Sequence, residues 1–242
     1  MVVMSFSSVS NAQWNYGIGT GMFGLNIDGD IGFNTTAGDI NGEIDLDASD
    51  TSDLMESAIG LGGYATDGTW MIMYSYGALE LEGSSTNNVP GIGSVTLRSN
   101  LEVTGAELTV GYPVYKSSAV KLLVDAGLRY TEHDYQFHAT GAVTQTRDIS
   151  NDWTDFLIGA TAIVPIVQDW NWNTRANAGF GGSEGTYFFK TGVTWMFTQG
   201  WSTTLYGKYM AVEFEEGNRG NADWYLYDAD EFGLGLSFAY NW

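Results

Sequence analysis

The chain lacks cysteine altogether and contains only 3 prolines, 2 histidines and 9 lysines and arginines among its 242 residues. Without cysteine, it can have neither a disulfide framework nor thiolate chemistry. The few bases stand against 29 acids, which gives a formal net charge of -20. Because nucleic-acid binding requires a basic surface, no nucleic-acid partner is predicted.

Long apolar runs are also missing, since no stretch approaches the roughly eighteen consecutive apolar residues of a membrane helix. Only 16% of the residues are charged, below the roughly 25% of ordinary soluble domains. The opening MVVMSFSSVSNA is apolar and small, with Ser10 and Ala12 placed as before a signal-peptidase site. We interpret residues 1–12 as the end of a signal peptide or as a disordered N-terminus, and residues 13–242 as one domain.

Large side chains alternate with small or polar ones in the C-terminal stretch EFGLGLSFAYNW, residues 231–242. A period of two is that of a β-strand with two unlike faces. The same alternation recurs in nine other segments, and no segment shows a helix-length apolar stripe. The sequence therefore predicts an all-β fold of about ten strands, with eight as the alternative. The nine segments are 14–26, 55–66, 70–81, 101–113, 119–135, 152–167, 170–180, 186–197 and 201–214.

The connections between these segments alternate in length. ATDGTW, VYKSSA, VQDW and TQGW are tight turns rich in Asp, Gly and Ser. The connections on the other side, residues 27–54, 82–100, 140–151 and 215–223, are longer and mostly polar, and only GFGGSEGT is short. This alternation is typical of an antiparallel up-and-down transmembrane β-barrel.

The tryptophans indicate that the large apolar face points outward. A soluble barrel would turn that face inward, whereas a membrane barrel turns it toward lipid. Four tryptophans begin strands at the short-turn end and a fifth ends the last strand there, as in an aromatic girdle at a membrane interface. The predicted girdle is Trp14, Trp70, Trp170, Trp201 and Trp242.

The minor face of the strands carries charges of both signs in similar numbers. Unpaired charges are costly in an enclosed interior, so a matched set indicates a lumen filled by ion pairs. The predicted lumen network is Glu56, Glu107, Lys121, Asp125, Arg129, Asp155, Arg175, Lys190, Lys208 and Glu231.

Several stretches, in this order, resemble the outer-membrane β-barrel proteins of Gram-negative bacteria, in the class of small OmpA-like and omptin-like barrels. They are GLNIDGDIGF, DWTDFLIGA, WNWNTRANAGFGG and WSTTLYGKYM. The ending FAYNW is similar to the signal read by the barrel-assembly machinery, with Trp242 where phenylalanine is usual. The resemblance implies an integral, monomeric protein of the bacterial outer membrane whose partners are its lipids, lipopolysaccharide and that machinery.

Enzymatic barrels require histidine motifs that this chain does not reproduce. The omptin-type proteases pair an aspartate with a histidine, but here His133 is followed by Asp134, which faces the other way by strand parity. Lipid A deacylases use a His-x-Ser element, whereas His138 is followed by Ala139 and Thr140. We interpret His133 as a hydrogen-bonded lumen residue near Arg129, and predict no catalytic site and no cofactor.

An acidic stretch, DINGEIDLDASD, carries oxygen ligands at the spacing of a calcium loop. The glycine that such a loop needs at its sixth position is Ile44, and the last ligand is Asp50 instead of glutamate. The simpler interpretation is a hairpin in which strands one and two rise above the membrane. The weak calcium candidates are Asp39, Asn41, Glu43, Asp45, Asp47 and Asp50, and no metal site is predicted.

Three functions are compatible with these features. The first is a structural or interaction barrel with long acidic extracellular loops and a largely filled, charge-paired lumen, because ten strands enclose little more than their own side chains. The alternative is a narrow porin or transporter for small solutes. A lipid-modifying or protease barrel would require a rim constellation that the sequence lacks.

Overall fold

The structure, a computed structural model, describes residues 14–35, 38–89, 93–141, 144–198 and 200–242. Residues 1–12, interpreted above as a signal remnant or a disordered N-terminus, lie outside the described residues. Within the described ranges the chain is almost entirely antiparallel β-strand, with one short helix. That helix has seven residues, and no helix in these ranges is long and apolar enough to cross a membrane.

Eleven strands and one helix follow one another within these ranges. They are β1 (Asn15–Thr35), β2 (Gly38–Leu46), α1 (Ala48–Leu54), β3 (Met55–Thr66), β4 (Met71–Val89), β5 (Gly93–Lys116), β6 (Lys121–Gly141), β7 (Gln145–Val167), β8 (Trp170–Phe180), β9 (Gly185–Thr198), β10 (Trp201–Glu216) and β11 (Tyr225–Asn241). The connections from β3 to β4, β5 to β6, β7 to β8 and β9 to β10 lie at one end of the sheet, here called the turn end. The opposite end is called the loop end.

The strands close into a ring. β3 to β11 pair antiparallel in chain order, and β11 pairs with β1 from Gly17 opposite Asn241 to Phe33 opposite Tyr225. Ten strands form the ring, because β2 pairs with β1 alone among the described strands and joins as an eleventh. The predicted antiparallel up-and-down barrel of about ten strands is confirmed, and the eight-stranded alternative does not apply.

One edge of β1 is divided between two strands. β3 pairs with the lower part, Asn15 to Thr20, and β2 with the upper part, Ile27 to Thr35. Over residues 21–26, no described strand pairs with this edge. This interval, together with residues 55–60 of β3 across from it, is called the wall gap.

Helix α1 lies beside the wall gap because hydrogen bonds within its first turn and to β1 hold its N-terminus. The Asp47 carboxylate accepts from the backbone N–H groups of Ser49 at 2.7 Å and Asp50 at 2.9 Å. The Asp50 carboxylate in turn accepts from the Asp47 N–H at 3.3 Å, which completes a capping box. The Ala48 N–H donates to the Asn26 side chain of β1 at 3.0 Å.

The outward face of the strands changes character between the two ends. On β6 it presents apolar side chains such as Leu122 and Leu128 in the lower part, and Glu132, Asp134 and Gln136 above them. Leu128 is 45% exposed although it is apolar. The exposed apolar side chains of the lower part form a belt around the ring, here called the apolar band.

The strands extend beyond their predicted ends. Residues 82–100, predicted as a loop, are largely the continuation of β4 and the beginning of β5, and residues 140–151 are largely β6 and β7. Residues 27–54 likewise hold the top of β1, all of β2 and α1. Above the apolar band a hairpin needs only its backbone hydrogen bonds, so polar residues can continue a strand without an apolar face.

Candidate functional site in the barrel lumen

Four charged side chains meet in the lumen at the level of the apolar band. Arg129 lies opposite Glu107 in the register and contacts its carboxylate at 2.7 Å. Arg175 contacts Glu107 at 2.6 Å and Asp125 at 3.2 Å. The side chain of Asp125 is 0% exposed and that of Arg129 is 8% exposed, so the pairing offsets a large loss of hydration. These four residues are called the arginine cluster.

Asp155 holds the short β8–β9 connection inside the barrel. Its carboxylate accepts from the backbone N–H groups of Gly182 at 3.1 Å and Ser183 at 2.8 Å, and from the Ser183 hydroxyl at 2.8 Å. A Cβ at Gly182 would lie 2.6 Å from the Thr154 backbone, so the connection approaches β7 more closely than another residue would permit. This anchoring accounts for the shorter β8 and β9, of 11 and 14 residues, beside β4 and β5, of 19 and 24 residues.

Three cations lie directly opposite one another on neighbouring strands. Lys190 of β9 faces Arg175 of β8 on one side and Lys208 of β10 on the other. Lys208 contacts the Glu231 carboxylate at 3.3 Å, whereas Lys190 lies 3.8 Å from the centre of the Tyr206 ring and has no ion pair with a described residue. Like charges in opposite positions destabilise a sheet, and here acids offset Arg175 and Lys208 but not Lys190.

The other predicted members of the charge network stand apart, and their pairing requires correction. Lys121 lies opposite Lys116 near the turn end, and Glu56 is exposed at a register shift where β3 begins. Neither has an ion pair within the described ranges. Asp155 lies opposite Arg129 in the register but bonds neutral donors of the β8–β9 connection instead. A shared lumen face therefore did not ensure contact, because neighbouring strands and local donors compete for each charge.

Buried aromatic and aliphatic side chains fill the lumen toward the loop end. Trp153 stacks on Phe214 with 4.2 Å between ring centres. His133, 1% exposed, lies among these rings with its Nδ1 2.8 Å from the Tyr225 hydroxyl, so its partner is this tyrosine and not the surroundings of Arg129 as predicted. This cluster, the aromatic plug, comprises Ile27, Tyr135, Trp153, Val212, Phe214, Tyr225, Tyr227 and Ala229.

The five tryptophans of the predicted girdle lie at the turn end and are 39–57% exposed: Trp14, Trp70, Trp170, Trp201 and Trp242. Other exposed aromatics lie against them. Trp195 stacks on Trp170 at 5.6 Å, and Tyr16 stacks on Trp242 at 5.7 Å between ring centres. The backbones of Tyr16 and Trp242 also exchange two hydrogen bonds, at 2.9 and 3.0 Å. The aromatic belt therefore continues across the junction between the first and last strands.

The acidic stretch of the calcium candidates is divided between β2 and α1. Asp39 accepts from the Asn34 side chain at 2.7 Å, and Asp47 and Asp50 form the capping box. Asn41, Glu43 and Asp45 are exposed on β2. Because β2 pairs with the top of β1, the predicted hairpin is built from these two strands and not from β1 and β3. Among the described residues, no three potential acidic or histidine ligands converge.

A closed ring of antiparallel strands with an outward apolar band and a charged lumen defines the transmembrane β-barrel fold of bacterial outer-membrane proteins. Among solved structures, the outer membrane protease OmpT from Escherichia coli is similar to this chain, with a TM-score of 0.59 and 8% sequence identity. The match covers 96% of this chain and 98% of that protein. At this identity the likeness concerns the fold alone, and at that level the predicted resemblance is confirmed.

The translocator domain of the autotransporter NalP from Neisseria meningitidis matches with a TM-score of 0.49 and 11% identity, over 96% of this chain and 90% of that one. The attachment invasion locus protein Ail of Yersinia pestis, solved with a heparin analogue, reaches a TM-score of 0.41 at 8% identity, over 95% and 99% of the two chains. No protein-family model and no curated protein sequence matches the chain.

The aromatic residues beside the lysines were missed in the sequence. Phe23 and Tyr206 stack with 6.1 Å between ring centres, below Lys190 and Lys208. The feature that could have indicated them is an aromatic residue opposite a glycine on a neighbouring strand. Phe23 of β1 and Tyr206 of β10 both lie opposite Gly235 of β11. The Tyr206 ring occupies the position that a Cβ on Gly235 would take.

Proposed function

We propose that this chain is an integral protein of the bacterial outer membrane, of the structural or interaction type, that presents an acidic surface outward and conducts no solute along its axis. The observation that carries the proposal is the aromatic plug. Its eight residues are at most 6% exposed, and they lie above the arginine cluster where an axial path would have to leave the lumen.

The apolar band supports the placement in a membrane. Leu234 is 71% exposed, and Phe156 and Ile158 are each 62% exposed. A soluble protein rarely leaves so large a continuous apolar surface in water, whereas lipid covers it without cost. The ring closure supports a monomer, because β11 has partners on both edges.

The acidic surface supports an interaction role. Outward acids face one another across strands in two rows: Asp45, Asp28 and Asp230, and Glu43, Asp30 and Asp228. Such rows repel one another and the phosphates of lipopolysaccharide unless cations lie between them. We propose lipopolysaccharide, bridged by cations, and outer-membrane lipids as partners, with the barrel-assembly machinery reading the C-terminal strand. We propose no enzymatic activity, since His133 is enclosed in the aromatic plug.

Single-channel recording in planar bilayers tests the closed axis. The wild-type protein is expected to produce no stepwise currents. The double variant Trp153→Ala, Phe214→Ala removes the stacked pair at the centre of the aromatic plug, and it is expected to produce them. Phe156→Ala, on the outward face of the same strand as Trp153, is the matched control and should remain silent. Stepwise currents from the wild-type protein would favour the narrow-porin alternative and overturn the proposal.

A further inference from the structure

A recess of about 520 Å³ opens beside the wall gap. Its lining includes Phe232 and Leu234, whose side chains face the lipid side of β11. It also includes Gly233 and Lys208, which occupy lumen-facing positions of β11 and β10. Residues of both faces of the wall therefore line one recess.

The wall is thin at this point because two glycines replace side chains. Gly24 of β1 takes the outward position opposite Leu234, and Gly233 takes the lumen position beside it. A Cβ on Gly24 would lie 3.5 Å from the Ala48 Cβ, an ordinary contact, so a side chain there would fit against the start of α1. At this point β1 pairs with β11 on one edge and with no described strand on the other.

The lumen beside the recess is a compartment with a floor and a roof. Phe23 and Tyr206 form the floor, with Lys208 5.2 Å from the Phe23 ring centre and Lys190 3.8 Å from that of Tyr206. Toward the loop end, the Tyr227 hydroxyl donates to the Glu231 carboxylate at 3.2 Å at the base of the aromatic plug. Lys208 belongs both to this compartment and to the lining of the recess.

We propose that this compartment binds the anionic head group of a single-chain amphiphile whose apolar chain leaves through the wall gap into the lipid. Lys190 and Lys208 supply two positive charges, and Glu231 is the one acid that pairs with either of them among the described residues. The excess of one positive charge matches one anionic head. Phe232 and Leu234 continue the path on the lipid side, where an apolar chain is the compatible ligand.

Carboxylate and phosphate monoester heads share this chemistry, because lysine binds either as a compact point charge. A neutral head of the same size would leave Lys190 uncompensated. The proposal goes beyond the closed axis proposed above, since a ligand that enters from the lipid does not pass the aromatic plug. The absence of currents in planar bilayers is compatible with this binding site, and so is the presence of currents.

Equilibrium binding of dansyl-labelled undecanoic acid to the whole protein in phosphatidylcholine nanodiscs tests the proposal. A saturable rise in fluorescence is expected, and decanoate and decyl phosphate should each displace the probe. Decanol should compete about tenfold less well or worse, because it lacks the charge-assisted hydrogen bonds to lysine. Competition by decanol as strong as that by decanoate would overturn the proposal. Inorganic phosphate as effective as decyl phosphate would also overturn the proposal, because the decyl chain would then contribute nothing to binding.

Matched variants locate the site. Lys190→Met and Lys208→Met are each expected to weaken binding of the probe by about tenfold or more, whereas Lys116→Met at the turn end should not. Gly24→Leu, which fills the recess, should weaken binding, while Gly207→Leu, on the outward face of β10, should not. Wild-type affinity in both lysine variants, or in Gly24→Leu, would contradict the assignment.

Heat-dependent migration in gels confirms that each variant is folded before its affinity is measured. For a lysine variant that does not fold, the competition series on the wild-type protein decides, since it compares head groups without any substitution. Equal displacement by acid, phosphate ester and alcohol would then be sufficient to reject the site.

Discussion

At the scale of single residues, Arg175 determines how the lumen charges are arranged. Its guanidinium contacts Glu107 of β5 and Asp125 of β6, and it reaches both from β8. The planar group with several donors suits this bridging, which a lysine could not reproduce. One side chain thus connects three strands that are not all neighbours.

Replacement of Arg175 by methionine should destabilise the barrel strongly. The substitution leaves Asp125, whose side chain is 0% exposed, without its cation, and breaking a buried pair in this way costs about 3 kcal/mol or more. The measurement is the free energy of unfolding in urea with the protein in lipid vesicles. Lys121→Met, which removes a half-buried cation without a described ion pair, is the control, and an equal loss in both variants would contradict the role of Arg175.

Strand parity placed Arg129 and Glu107 on one face but did not predict which charges pair. Arg129 lies opposite both Glu107 and Asp155, on its two neighbouring strands, and only the first of these becomes its ion pair. Asp155 instead accepts hydrogen bonds from the N–H groups of residues 182 and 183. The sequence alone does not reveal this local fold. The ion-pair partner of a charged side chain therefore depends on nearby hydrogen-bond donors. The positions of these donors in three dimensions do not follow from the spacing of residues in the sequence.

At the scale of elements, α1 lies next to the only stretch of the β1 edge that no described strand covers. Its capping box is built from Asp47 and Asp50, and Thr51, 1% exposed, faces inward from it. A helix of seven residues has little stability of its own, so its cap and its contacts with β1 maintain it.

Asp47→Ala should release α1 at neutral pH, and the effect should disappear in acid. The Ser49 hydroxyl, then the N–H groups of Asp50 and Ser49, lower the pKa of Asp47 by hydrogen bonding to its carboxylate. A lowered folded pKa means that the cap stabilises α1 above the unfolded pKa of about 3.9 and is lost as the pH falls through the folded pKa.

Amide hydrogen exchange over residues 48–54 measures this effect. At about pH 6 the wild-type helix should be protected more than the Asp47→Ala helix, and the difference should diminish as the pH falls below the usual carboxyl pKa of about 3.9. Asp53→Ala, exposed on the same helix and outside the cap, is the control and should retain protection. Equal protection of wild type and Asp47→Ala at about pH 6 would show that the capping box does not maintain α1.

The elements within the apolar band were predictable because their alternation is regular. The elements above it were not, because residues such as Ser84 to Thr86 and Arg98 to Asn100 are polar on both faces and look like a loop. They remain strands since β4 and β5 continue to pair there, which is a property of the hairpin and not of either segment alone.

At the scale of the whole molecule, polarity inverts along the barrel axis. In the apolar band the outside is apolar and the lumen charged, whereas toward the loop end the outside carries acids and the lumen holds the aromatic plug. The lower part therefore has the polarity of a membrane protein, and the upper part has that of a soluble barrel.

The inversion predicts that the outward face of β6 tolerates a charged substitution above the apolar band but not within it. Leu128→Arg places a cation in the apolar band and should cost about 2–4 kcal/mol if it lies near the bilayer midplane. Gln136→Arg, on the same face of β6 but above the band, should cost little. Unfolding in urea from lipid vesicles measures both variants. Similar free-energy changes would show that the apolar band does not contact lipid.

A period of two indicates that the faces differ, but it does not indicate which face is inside. Leu122 and Leu128 face outward as predicted, whereas Trp153 and Phe214, to which no face was assigned from the sequence, point into the lumen. The parity of Trp153 matches that of Asp155, two residues later, so the sequence contained this signal. The inversion of polarity becomes apparent only when the outward charges and the lumen-facing aromatic residues at the same level of the barrel are compared.

The pairing of β1 with β11 joins the first described strand to the last, across almost the whole length of the chain. Apart from β1 and β3, which β2 and α1 separate, every other pairing in the ring links consecutive strands, so those hairpins can form by short loop closures with a small entropic cost. The seam between β1 and β11 must wait for all of them. We therefore expect closure of this seam to be the last step in the folding of the barrel.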